Sequence, residues 1–183
     1  MSSTLLKNKA EDSRRNILIV GVGNRLLGDE GAGLHIIDRL SRMPIPSHVD
    51  VVDCGCDLLS LASYANKPRK IIVIDAMRAG GKPGSVYRFD YAELGATQSQ
   101  VRSAHQLKTL ETLELLKHVY PDLCDCQITL IGVEPQTIGL SIDLSREVRD
   151  SLADVTRLVL EEASPQSSKE RGLCRSSRDS AYI

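Results

Sequence analysis

Two carboxylates and one imidazole stand where the sequence changes character. Glu30 lies in Gly21-Val22-Gly23-Asn24-Arg25-Leu26-Leu27-Gly28-Asp29-Glu30-Gly31-Ala32-Gly33, a glycine-rich turn between an apolar run and a helical pattern. Asp75 closes the otherwise apolar run Ile71-Ile72-Val73-Ile74. His105 sits in Ser103-Ala104-His105-Gln106, which matches the S-x-x-Q capping box directly before a Leu-rich stretch. A histidine in the first turn of a helix meets the positive end of the dipole. That disfavours imidazolium and leaves the neutral ring, the form that ligates a metal. Two oxygens and one nitrogen suit a borderline divalent cation such as nickel or zinc, with coordination positions left open. Singly, each residue also has a plainer reading. Glu30 can complement a helix dipole, Asp75 can cap the following loop, and His105 can be a surface histidine on a helix's first turn. Those readings weaken if separate crossover units carry the three to one edge of a sheet.

The elements that must do so are legible from hydrophobic pattern. Asn16 to Val22, Val49 to Asp53, Lys70 to Ala76 and Cys126 to Glu134 are short runs rich in Ile and Val, as expected of parallel strands buried on both faces. Between them lie helical patterns: Leu34, Ile37 and Leu40; Leu58, Leu61, Ala62 and Ala65; Leu107, Leu110 and Leu113; and last Leu144, Val148, Leu152, Val155 and Val159. The alternation predicts a three-layer α/β/α fold around a mostly parallel twisted sheet. After Gly80-Gly81-Lys82-Pro83-Gly84, the alternating segment Ser85 to Tyr91 predicts one antiparallel edge strand. In such sheets ligands bind beyond the carboxyl ends of the strands, where Glu30 and Asp75 fall.

Length and composition limit the alternatives. A chain of 183 residues with 42% apolar content suits one domain with a sizeable core. Residues 16–162 carry the pattern. Residues 1–15 and 163–183 are polar and charged without period, and read as a mobile N-terminal segment and a disordered C-terminal tail. Lys plus Arg number 23 against 24 Asp plus Glu, so no basic stripe points to nucleic acid. No apolar run reaches membrane-spanning length and the first residues do not form an export signal, so the expected location is the cytoplasm. The five cysteines are therefore expected to be free thiols rather than a disulfide framework.

Two other chemistries compete. A strand, glycine turn and helix suggest a dinucleotide-binding unit with Asp53 as the ribose-binding acid, but the third fingerprint position after Gly21 and Gly23 is Leu26, and Asp29-Glu30 would repel a pyrophosphate. The pairs Cys54, Cys56 and Cys124, Cys126 suggest a four-thiolate metal or redox module. The C-x-C spacing is not the usual one for zinc, and one pair follows a strand while the other precedes one. A thiol protease pairing Cys54 or Cys56 with His105 has only proximity behind it. No G-x-S-x-G or H-E-x-x-H motif is present.

The stretch ILIVGVGNRLLGDEGAGLHIIDRL, the VIDA at the end of the third strand, the SAHQL opening the third helix and the late IGVEP and GLS segments together resemble the nickel–iron hydrogenase maturation endopeptidases. The similarity runs in order from about Asn16 to the last helix. It implies an endopeptidase that removes a C-terminal extension from the large-subunit precursor of a hydrogenase once nickel has been inserted there. Carried over by residue, it implies that Glu30, Asp75 and His105 contact that nickel, a feature of the substrate that is recognised rather than permanently held. One departure is clear. After the second strand many relatives carry a small Asp-Gly-Gly-Thr-type loop, where this chain has Asp53-Cys54-Gly55-Cys56-Asp57.

Overall fold

The computed structural model describes residues 17–63, 68–91, 104–120 and 126–164, positions 63 and 104–108 by their backbone alone. Apart from Ala163 and Ser164, the segments expected to be mobile lie outside these residues.

Five strands form one sheet in the order β2-β1-β3-β5-β4: β1 (Ile17–Gly21), β2 (Val49–Asp53), β3 (Lys70–Ala76), β4 (Val86–Asp90) and β5 (Gln127–Val133). The first four in that order are parallel, and β4 runs antiparallel to β5 at the edge, with Val86 opposite Val133 and Phe89 opposite Leu130. Each strand lies within one residue, at either end, of the run that predicts it.

Period-two alternation divides the core into two layers. Ile17, Ile19, Ile72, Ile74, Ile131 and Val133 face α1 (Ala32–Leu40) and α3 (Arg146–Glu162), which press Ile36, Leu40, Val148, Val155 and Val159 against them. Leu18, Val20, Ile71, Val73, Ile128 and Leu130 face the other way, against Leu113 and Leu116 of α2 (Ala104–Val119) and against Leu58 and Leu61. Each such aliphatic side chain contributes about 1.5–3 kcal/mol on burial, so both layers are held by the same force.

The second helical pattern is realised differently from expectation. Its described part, Leu58–Ser63, is a 3-10 helix, and Ala65 lies outside the described residues. Asp57 opens it by accepting N–H groups from Leu59 at its carboxylate and from Ser60 at its carbonyl. The buried pair, Leu58 and Leu61, is three residues apart and so aligns on a three-residue turn. Asp29 and Glu30 likewise form a 3-10 turn, Asp29–Gly31, that leads into α1.

Candidate active site

Ile71, Val73 and Asp75 share a face by alternation, so Asp75 leaves the end of β3 on the side covered by α2. There its Oδ2 accepts a hydrogen bond from Thr109 Oγ1 of α2 at 3.0 Å, and both residues are buried. Thr109 lies one helical turn after position 105. The helix starts at Ala104, so the backbone of His105 is in its first turn, as the capping-box pattern predicts. The His105 side chain, and Ser103 at the capping position, lie outside the described residues.

Glu30 reaches the same edge through two glycines. Gly23 has φ 142°, and a Cβ there would fall 1.9 Å from the Glu30 carbonyl oxygen, so only glycine lets the turn fold back over the end of β1. At Gly33 a Cβ would lie 2.4 Å from the Ile74 carbonyl oxygen and 2.5 Å from that of Val22, so glycine seats α1 directly on the strand ends. The Asp29–Gly31 turn packs against β3, leaving Glu30 half-buried at the edge that carries Asp75. The structure thus brings the turn of Glu30 and the carboxylate of Asp75 to one edge, where Thr109 of α2, one turn after position 105, is bonded to that carboxylate. Among the described residues no three His, Cys, Asp or Glu side chains form a metal cluster, and the His105 ring is not one of those residues.

The family model for hydrogenase maturation proteases matches residues 34–162 of the chain. The chain belongs to that family. It is an endopeptidase of the hydrogenase maturation kind. It is 30% identical over 148 residues to the hydrogenase 2 maturation protease of Escherichia coli, covering 79% of this chain and 88% of that one. Its fold matches the [NiFe] hydrogenase maturation protease HybD of Thermococcus kodakarensis with a TM-score of 0.72 at 30% identity, over 81% of this chain and 99% of that one. The hydrogenase maturating endopeptidase HybD of E. coli matches with a TM-score of 0.69 at 28% identity, over 84% and 94%.

In the protease, four further acids and one arginine shape the edge, and sequence reasoning did not single out these roles. Asp29 is buried and accepts N–H groups from Gln136 and Thr137 at Oδ2 (2.9 and 3.0 Å) and from Ser145 at Oδ1 (2.7 Å). Glu134, just after β5, accepts with Oε2 the N–H groups of Ala79, Gly80 and Gly81 and the hydroxyl of Tyr87 at 2.8 Å. Burial, and then Glu134, push the Tyr87 phenol above its ordinary pKa, so it stays a donor. A glycine pair after one strand and a glutamate after another were the only sequence signal for this lock.

Arg25 joins the glycine turn to α1 and to β2, donating to Asp38 and, at 2.7 Å, to Asp53 Oδ2. The bond to Asp38, then that to Asp53, raises the guanidinium pKa, and Arg25 holds Asp38 below the usual carboxylate range. Asp53 Oδ1 also accepts the N–H of Gly55. The acid that the dinucleotide reading assigned to a ribose is therefore engaged within the protease.

The departing loop docks on the glycine turn: Gly23 N donates to Gly55 O at 2.9 Å, and the Cys56 thiol donates to Gly23 O at 3.3 Å. Beside it is a cavity of about 120 Å³ lined by Val22, Cys56, Asp57, Leu58, Thr109 and Thr112, among others. Cys54, Cys56 and Cys126 are free thiols. Cys54 and Cys56 lie past the carboxyl end of β2 and Cys126 just before β5, which puts them at opposite ends of the sheet; Cys124 lies outside the described residues. Burial raises the Cys54 thiol and pushes Cys126 up to about 11. No helix among the described residues is long and apolar enough to cross a membrane.

Proposed function

We propose that this protease removes a C-terminal extension from the large-subunit precursor of a nickel–iron hydrogenase, and that Glu30, Asp75 and His105 contact the nickel the precursor carries. The observation that carries the reading is the Thr109–Asp75 hydrogen bond. It ties the first turns of α2 to the strand end against which the Glu30 turn is packed. Two carboxylates and a neutral imidazole are a suitable donor set for nickel and leave positions for the precursor's own ligands. The attacking water needs a base within hydrogen-bond reach, and the carboxylates at this edge supply the candidates. The metal belongs to the substrate, so it reports that the precursor is ready to be cut. The free thiols Cys54, Cys56 and Cys126 suit a reducing compartment, and the cytoplasm is the proposed place of the reaction.

The test is to mix the protease with nickel-loaded and nickel-free precursor and to weigh the products by mass spectrometry. Loss of a C-terminal peptide from the loaded sample alone is the expected result. Equal cleavage of both samples, or of neither, contradicts the proposal.

A further inference from the structure

The segment from Gln136 to Asp143 bends around the glycine turn, with single bridges from Ile138 to Gly28 and from Ser141 to Leu27. Gly28 N donates to Ser141 O at 2.8 Å, Ser141 N to Leu26 O at 3.0 Å and Gly139 N to Leu27 O at 3.3 Å. With Gly139 and Ser141 bonded to the turn, the alternate residues Ile138, Leu140 and Ile142 are left in water, 40%, 92% and 71% exposed. Leu26, whose carbonyl accepts one of those bonds, is 61% exposed. Isolated exposed aliphatics need no explanation, but four on two paired loops form a patch of the kind that covers a partner.

The patch is also stiff. The Asp29 carboxylate binds Gln136 N and Thr137 N at one end of the loop and Ser145 N beyond the other. A segment held at both ends loses little freedom when something docks on it.

Two observations choose the occupant. Asp29, which pins the loop, shares the Asp29–Gly31 turn with Glu30, so the loop that carries the patch is anchored at the edge where the proposed cleavage site lies. The cavity at that edge among the described residues, about 120 Å³, is well below the roughly 300 Å³ at which ligand pockets begin, which suits recognition of a polypeptide by surface contact. We infer that Leu26, Ile138, Leu140 and Ile142 form a docking surface for an apolar stretch of the precursor polypeptide next to the bond that is cut. This rests on the proposed function, and names the contact that brings the precursor to it.

The experiment compares the wild type with the Leu140→Ser/Ile142→Ser double variant, and with Leu140→Met, which keeps the apolar contact. Processing of nickel-loaded precursor is followed across precursor concentration, and affinity for the nickel-free precursor is measured by biolayer interferometry. The double variant is expected to raise KM and weaken binding by about tenfold or more, with kcat within twofold and an unchanged melting temperature; Leu140→Met should match the wild type. Unchanged KM and affinity in the double variant overturn the inference. So does a fall in kcat alone, or a wild-type dimer that sedimentation shows to be lost in the double variant, because the patch would then serve a second copy. A wild type that binds nickel-loaded precursor without cutting it removes the proposed function, while the affinity comparison still reads the docking surface. A wild type that binds neither the nickel-loaded nor the nickel-free precursor removes both.

Discussion

Lys70 enters the sheet at the start of β3, and its buried ammonium donates to Glu162 Oε2 at 2.6 Å and to the Glu162 carbonyl at 2.9 Å. Arg88 of β4 donates to the other oxygen of Glu162 at 2.7 Å and to Asp90. Burial works against the Arg88 charge, but Asp90 and Glu162 outweigh it and raise its pKa. At this amino end of the sheet, charge is buried against charge, and the end of α3 is fastened to β3 and β4. At the carboxyl end Asp29 and Glu134 are instead held by backbone N–H groups, three each, from loops distant in sequence. A carboxylate can thus either close an ion pair that holds elements together or organise a loop around itself. The second arrangement shapes the edge where Glu30 and Asp75 lie.

The sharpest way to break this contrast is at the amino end. Glu162→Ala leaves Lys70 buried without its carboxylate, at a cost of about 3–5 kcal/mol, and the melting temperature should fall by about 10 °C. Specific activity of the still-folded protein below the transition should stay near wild type; a loss of turnover there would mean that the two ends are not separate in role. Asp29→Ala strands three N–H groups in a loop that water partly reaches, so the expected cost is smaller, about 2–3 kcal/mol. Here precursor processing should fall as well, because the 136–143 loop loses its pins. Calorimetry beside a cleavage assay tests this, and a stability loss with intact processing would make Asp29 no different from Glu162.

Thr109→Val removes the donor to Asp75 in nearly the same volume and should cost about 1 kcal/mol. The expected kinetic effect is a lower kcat at unchanged KM, and an unaltered kcat would show that Asp75 needs no such support. The smallest effect concerns the thiols. With iodoacetamide at pH 8, exposed Cys56 should be alkylated well before buried Cys54, and before Cys126, whose pKa near 11 keeps it protonated. Peptide mapping that found Cys126 modified first would contradict the burial assigned to the amino end.

The central strands β1, β3 and β5 were readable because both sheet faces are covered there, so each carries a continuous apolar run, while β4 shows its edge position by alternating. The start of α2 was readable from its capping-box pattern, since that signal is local. The division of labour between Asp29 and Glu30 was not. Both are acids at the head of one helix, and what separates them is that the partners of Asp29 come from 107 to 116 residues further along the chain. The lock at Glu134 was hidden for the same reason, and the 3-10 form of Leu58–Ser63 because a spacing of three fits either helix. The apolar ridge was missed because alternation along Ile138, Leu140 and Ile142 says that one side differs from the other, not which side meets water.

Release of the C-terminal peptide from nickel-loaded precursor by Glu30→Gln, Asp75→Asn and His105→Ala tests the central proposal most directly. Each single variant is expected to melt like the wild type and to cut at least roughly a thousandfold more slowly, a loss of about 4 kcal/mol of transition-state stabilisation. Wild-type cutting by the protein carrying all three changes would contradict it.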